Sequence, residues 1–381
     1  GDLAGLPFRL VGWKGFTMKM RSRCDSAIHS ALKPFVDSHS LAGAVTLVAD
    51  KANVLSLEAI GFADVARRRQ LKTDALFWIA SQSKPITGTA LMMLVDEGKV
   101  RVDDPVEAYL PEFKDQWLAV EQDANHVLLK KPRHPITVRN ILSHTSGMPF
   151  ASAVEAPTRD ALPLRTAIRS YAMTPLQFEP DTKYQYSNQG INTAGCIIEV
   201  VSGMPYETFL QARLLEPLGM RNTTFWPSAA QLKRLAKAYK PDSAKTGLEE
   251  TTIPQLTYPF DDRRRYPMPA GGLFSTADDL ARFCQMVLNG GVFKKKRLLS
   301  VAAVRAMTRK QTADTVPEGY GFGWAVDRTT FGHGGALATN MSIDAKRGLI
   351  FVFLVQHAGF PGNGDQSFAA FKEAAEGTFA R

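Results

Sequence analysis

The pattern of apolar and polar positions divides the chain into two strand-rich ends and a helix-rich middle. Residues 20–38 repeat apolar positions at helical spacing and predict a first amphipathic helix. Ala44–Ala49 and Val54–Ile60 are apolar runs on either side of a polar turn, Asp50–Asn53, and predict a strand pair that Gly61 ends. Ser81–Glu97 predicts a helix with a mostly apolar face, stopped at Gly98. A short helix over 103–111 follows, then a helix Ile136–Ser143 closed by the turn His144–Pro149. Residues 150–182 carry several prolines and one or two helices. Asn192–Ser202, ended by Gly203, and Tyr206–Leu214 read as apolar helices. Thr276 and Asp279 form a capping pair for a helix that runs to Leu288 and ends at Asn289-Gly290-Gly291. Near the end, Tyr320–Val326, His333–Ile343 and Gly348–Gln356 predict strands. The last is almost wholly apolar, as a strand buried on both faces must be. A helix over Gln366–Gly377 closes the chain. Two stretches, 112–133 and 226–268, keep no period and are expected as irregular excursions.

Strands at both ends with helices between predict an α/β (α+β) fold. A mostly antiparallel sheet would be built from both termini and flanked by helices, with a mainly helical second lobe. The expected division is 20–80 with 265–381 as the sheet lobe, 81–264 as the helical lobe, and 1–19 as an N-terminal extension. A chain of 381 residues exceeds the roughly 100–200 residues of one ordinary domain, which agrees with two lobes sharing a cleft. That cleft is the default ligand site.

Charge changes this picture little. The net charge of +9 comes from separate short clusters, such as Arg67–Arg69, Arg263–Arg265 and Lys294–Arg297. No helical stripe or aromatic-interleaved ladder joins them, so they read as solvated surface and not as a nucleic-acid interface. Three widely spaced cysteines, Cys24, Cys196 and Cys284, exclude a disulfide framework and a C-x-x-C metal site; the last two read as core. No apolar run reaches 18 residues, which predicts no membrane span. The first 20 residues lack the apolar stretch of a signal peptide. Compartment and oligomeric state are not legible.

The chemistry gathers at Phe77-Trp78-Ile79-Ala80-Ser81-Gln82-Ser83-Lys84-Pro85, where a strand hands over to a helix. Pro85 fits only in a first helical turn, so Ser81 lies at or beside the helix N-terminus. Free backbone N–H groups and the positive end of the helix dipole favour a developing anion there. Lys84, three residues on, shares a face with Ser81. A hydroxyl, an amine and ready anion stabilisation are the parts of an acyl-transfer site. The motif S-x-x-K also occurs at Ser30–Lys33, where it reads as ordinary helix surface. Tyr186-Ser187-Asn188 is the one Y-x-N and sits in a polar turn before a helix; its phenol is a candidate proton shuttle beside Lys84. Gly332-His333-Gly334-Gly335-Ala336 offers a strand edge against which a substrate can lie, with the Ala336 N–H as a second oxyanion donor beside Ser81 N–H. Lys245-Thr246-Gly247 is a competing strand motif by letter, but its polar surroundings predict a loop. His144, the tempting base, sits in a tight turn and is expected to bond backbone.

The ordered set S-x-x-K, Y-x-N and His-Gly-Gly resembles the serine β-lactamase and penicillin-binding-protein superfamily. Leu142–Gly147, Ala270–Thr276 and Tyr320–Trp324 look like recurring segments of its class C-like branch, which includes class C β-lactamases, D-alanyl-D-alanine carboxypeptidases, D-aminopeptidases and family VIII esterases. The resemblance runs from about residue 25 to the C-terminus and implies a β-lactamase/transpeptidase-like fold. It implies that Ser81 is acylated, that Lys84 and Tyr186 exchange its proton, and that Asn188 orients the substrate amide. His333, Gly335 and Ala336 would complete substrate binding, with no metal and no cofactor. The departure is His333, which stands where the family has a lysine. A neutral His is a poorer anion anchor, and this favours small ester, amide or D-amino-acid peptide substrates over efficient β-lactam turnover. Arg263, Arg264 or Arg265, just before Ala270, would then be candidates for the missing cation. The rival expectation is a penicillin-binding or scaffold protein of the same fold with little turnover.

Overall fold

The computed structural model describes residues 26–155 and 159–380. Positions 20–25 of the first expected helix, the expected extension 1–19 and Cys24 lie outside the described residues. Helix α1 spans Ala27–Asp37 and is capped by Ser26, whose side chain accepts from the His29 N–H.

Strands β1 (Gly43–Ala49), β2 (Val54–Asp64) and β3 (Arg69–Gln70) come from the N-terminal end. Strands β4 (Ala325–Asp327), β5 (Thr330–Gly334), β6 (Asn340–Asp344) and β7 (Leu349–Leu354) come from the C-terminal end. They form one seven-stranded antiparallel sheet in the order β4-β5-β6-β7-β1-β2-β3. The two ends of the chain meet where β1 pairs with β7, Val45 opposite Leu354.

Both faces of the centre are covered, which explains the unbroken apolar runs. Ala44, Val48, Phe351 and Phe353 pack with Ile28, Leu32 and Phe35 of α1 and with Phe371 of α7 (Ser367–Phe379). Val45, Leu47, Ile350 and Val352 point the other way into the main core. That core includes Phe283 of α6 (Ala277–Leu288) and the helices of the middle segment, α2 (Ser83–Asp96), α3 (Val138–Ser143), α4 (Leu164–Met173) and α5 (Asn188–Ser202). The Thr276 hydroxyl accepts from the Asp279 N–H at the start of α6, as the capping pair predicts.

Five expectations need correction. Strand β2 runs on through Gly61 to Asp64 instead of ending there. Residues 112–133 contain a two-stranded hairpin, Leu118–Gln122 with Val127–Lys130. Its residues are largely exposed, so no core imposed an apolar alternation on it. Residues 226–268 contain a second hairpin, Ala238–Pro241 with Leu248–Thr251. Finally, His333–Ile343 is not one strand. The chain reverses between β5 and β6 over Gly335–Thr339, and of Tyr320–Val326 only the end is in β4.

Candidate active site

The strand-to-helix switch is held from three sides. Phe77–Trp78 pairs with Phe274–Ser275, and the Gln356 side chain accepts from Trp78 N–H at 3.3 Å and donates to Trp78 O at 3.0 Å. Ile79 N–H donates to Leu273 O at 3.0 Å. The chain then makes one 3-10 turn, Ala80–Gln82, before α2 begins at Ser83. Ala80 takes a positive φ of 45°, a conformation that costs a non-glycine residue about 1 kcal/mol and persists only where the surroundings impose it. Here the Ser83 hydroxyl clamps Ala80 O at 2.7 Å and itself accepts from Leu273 N–H. The result presents Ser81 half-exposed beside the α2 N-terminus, with Pro85 in the first turn as the sequence predicts.

Lys84 is fully buried, and its Nζ donates to Ser81 Oγ at 3.0 Å and to Ala270 O at 2.8 Å. Burial, with a smaller contribution from the Arg159 charge, holds the amine well below its ordinary pKa. The Tyr186 hydroxyl is within hydrogen-bonding reach of Ser81, and burial pushes its pKa up despite that bond. Lys84 Nζ lies 4.5 Å from the centroid of the Tyr186 ring. Such a contact favours an ammonium by about 0.5–2 kcal/mol, less than the several kcal/mol of solvation an ion loses on burial, so the net effect is to lower the proton affinity of the amine.

His144 supports the turn that carries Tyr186. It caps α3 in the left-handed region, its carbonyl accepts from Gln185 N–H at 2.8 Å, and its Nδ1 accepts from Ser187 N–H at 3.1 Å. Its ring packs on Tyr186 and Tyr320 with centroids 4.6 and 4.5 Å apart. Asn188 opens α5, and its buried Oδ1 has no partner among the described residues.

His333, Gly334, Gly335 and Ala336 end β5 and enter the reversal. Gly335 lies against the residue two before Ser81: a Cβ there would stand 2.6 Å from Ile79 O. The hairpin tip therefore sits over the switch, and Ala336 belongs to a turn rather than to an extended edge. Both nitrogens of His333 are engaged. Nδ1 donates to Gly334 O at 2.7 Å, so Nε2 is the acceptor for the Tyr320 hydroxyl at 2.9 Å. Burial first, then repulsion from Lys84 whenever its amine is protonated, pushes the His333 pKa down to about 3. This is a neutral, locked imidazole and not a cation. Tyr320 was not foreseen as its partner, because nothing in a lone Tyr-Gly-Phe-Gly segment signals which ring it meets.

Two of the three arginines of the triplet are paired with carboxylates elsewhere. Arg265 is buried against the buried Asp160, Nε to Oδ2 at 2.8 Å, with two further bonds to Phe225 O and Phe260 O. Arg264 pairs with Asp262 at the surface, and Arg263 stacks on Trp226 at 4.3 Å. Arg265→Ala would leave a buried, unpaired carboxylate, so a loss of about 3–5 kcal/mol is expected in urea unfolding. A loss below about 1 kcal/mol would contradict the buried pair.

The family model for beta-lactamase matches residues 28–375. The chain belongs to the β-lactamase family. Protein Rv1367c of Mycobacterium tuberculosis is 31% identical to this family member over 363 residues, 86% of this chain and 89% of its own. Esterase EstB of Burkholderia gladioli is 29% identical over 330 residues, 80% and 79% of the two chains. The solved structure of EstCE1, a hydrolase with promiscuous acyltransferase activity, aligns with a TM-score of 0.77 at 24% identity, over 91% of this chain and 97% of its own. The protein is a serine hydrolase of the β-lactamase and penicillin-binding-protein-like superfamily, as the ordered motifs imply. Among the described residues no helix is long and apolar enough to cross a membrane.

Proposed function

We propose that this β-lactamase-family protein hydrolyses small-molecule esters or amides, D-amino-acid peptides among them, through an acyl-enzyme on Ser81, with ester chemistry ahead of β-lactam turnover. The observation that carries the reading is the buried Lys84 amine, bonded to Ser81 Oγ at 3.0 Å and anchored on Ala270 O at 2.8 Å. An amine kept neutral by burial can accept the Ser81 proton while Oγ bonds to the substrate carbonyl carbon. The carbonyl electron pair moves onto oxygen, which Ser81 N–H and Ala336 N–H would hold. Collapse expels the alcohol or amine, which takes a proton from Lys84 by way of the Tyr186 hydroxyl. Water then attacks the acyl-enzyme by the same route in reverse. Tyr186 serves as a neutral relay, since its pKa is raised and Lys84's is lowered. Asn188 Oδ1 is buried without a partner among the described residues, and a turn of its side chain toward the cleft would offer it to a substrate N–H.

The preference for esters rests on His333, whose two ring nitrogens are taken by Gly334 O and Tyr320. A β-lactam carboxylate would find no fixed charge there. The same reading makes 20–80 with 265–381 one lobe and 81–264 the other. Its support is that all seven strands of the large sheet lie in the first set, and α3, α4 and α5 in the second.

Intact-mass analysis with p-nitrophenyl esters, nitrocefin and D-Ala-D-Ala peptides tests the reading. Turnover is expected to be fastest with the esters. A stable nitrocefin adduct with no turnover of any substrate would instead identify a penicillin-binding protein.

Lys84 gives a pH test. The protonated amine cannot accept the Ser81 proton, so kcat/KM should fall as pH drops through the lowered Lys84 pKa and stay flat above it. Lys84→Arg, charged at every working pH, should lose about 10²–10⁴ in kcat with no recovery at high pH. Recovery at high pH would reassign the base.

A further inference from the structure

With His333 locked neutral and Arg264 and Arg265 paired with carboxylates, Arg159 is a cation whose charge is felt at Lys84. Its guanidinium carbon lies 4.8 Å over the ring of Phe150. Phe150 in turn stacks on Tyr186, centroids 6.2 Å apart and planes 23° from parallel. The backbone ties the same stretch to the site: Phe150 O accepts from Asn188 N–H at 3.1 Å, and Pro149 O accepts from the Ser187 hydroxyl at 2.6 Å. Arg159 is thus one aromatic layer removed from the phenol beside Ser81. Its field reaches Lys84, where it adds to burial in holding the amine pKa down.

Arg159 makes no hydrogen bond or ion pair with any other described residue. The carboxylate that feels its charge, Glu155, is buried and already accepts from the Tyr171 hydroxyl and from Ser152 N–H at 2.7 Å. The neighbouring Asp160 is closed off by Arg265. A half-buried guanidinium with five donors and no hydrogen-bond acceptor among the described residues is suited to a carboxylate from outside the chain.

We propose that Arg159, stacked on Phe150, is the anion subsite of this enzyme and selects ester or amide substrates that carry a carboxylate. The proposal rests on the acyl-enzyme reading of Ser81. It assigns to the loop before α4 the charge recognition that the β5 strand lacks.

Two matched pairs of substrates test it. On the acyl side, mono-p-nitrophenyl glutarate is compared with p-nitrophenyl pentanoate. On the leaving-group side, 4-carboxyphenyl pentanoate is compared with its 4-carbamoyl analogue. In Arg159→Gln the ratio of kcat/KM, charged over neutral, is expected to fall at least about tenfold in one pair, and that pair identifies which side of the scissile bond faces Arg159. Arg159→Lys, which keeps the charge, should retain most of the ratio. In the unmutated enzyme the same ratio should shrink as salt rises to about 0.5 M, which needs no variant to fold. Ratios that stay within about threefold in both pairs for Arg159→Gln, or a salt-independent preference in the unmutated enzyme, overturn the subsite. Hydrolysis of the neutral esters by Ser81→Ala would overturn the acyl-enzyme reading instead, so the two failures are distinguishable.

Discussion

Ser81→Ala is expected to abolish covalent labelling by a fluorophosphonate and to lower kcat for a p-nitrophenyl ester by at least about 10⁴, the scale on which serine hydrolases lose activity without their nucleophile. Ser30→Ala is expected to change neither. The contrast is sharp because both serines sit in the same S-x-x-K letters. Ser30 is exposed on α1, and Lys33 one turn on pairs with Asp37 at the surface. Ser81 follows a strained Ala80 and receives a hydrogen bond from a lysine sealed away from water. Labelling that persists in Ser81→Ala, mapped by peptide mass, would remove Ser81 from the mechanism.

The second large effect is expected at the hairpin tip. Any side chain at Gly335 runs into Thr339 Oγ1 and the Ile79 carbonyl, and the latter is backbone that cannot swing aside. Gly335→Val must therefore lift the tip off the switch and, on the proposed reading, carry the Ala336 N–H away from the oxyanion position. Loss of one oxyanion donor typically costs about 10²–10³ in kcat, so a fall of at least about a hundredfold is expected with the near-UV circular dichroism retained. Lys245→Ala, at the other Lys-Thr-Gly-like position, should change kcat less than about threefold. Lys245 is exposed at the turn of the Ala238–Pro241 and Leu248–Thr251 hairpin, with a positive φ of 58°. An inactive Lys245→Ala beside an active Gly335→Val would show that the wrong segment has been placed over the nucleophile.

What could be read from the sequence follows burial. The central strands β1 and β7 were legible because a sheet covered on both faces leaves a continuous apolar run. The Ser81 switch was legible because Pro85 and the three-residue spacing each constrain the backbone locally. The exposed 118–130 hairpin was not, since no core disciplines its pattern. The β5–β6 reversal was missed for a different reason. Gly335–Thr339 contains apolar Leu337, buried among the side chains around Trp78, so the turn reads as strand. The direction of the two proton affinities was also out of reach. Lys84 and Tyr186 start from similar values, and only the depth of each in the folded chain drives one down and the other up. Arg159 gave no signal, because its relation to the site depends on two ring stacks between residues that no motif connects.

The pairing of Val45 with Leu354 has a consequence for how the molecule comes to exist. The sheet whose last strands support the Ser81 switch closes a loop of roughly 300 residues, so its central ladder forms late and against the entropy of closing that loop. Until β7 emerges from the ribosome, β1 presents a bare edge of valine and leucine to anything that can pair with it. The last strands are also those that carry Gln356 to Trp78 and Gly335 to Ile79. A nascent chain without them lacks the contacts that hold the Ser81 switch in place. Overexpression that outpaces closure of the sheet should yield inclusion bodies of inert protein, with no half-folded form that already turns over substrate.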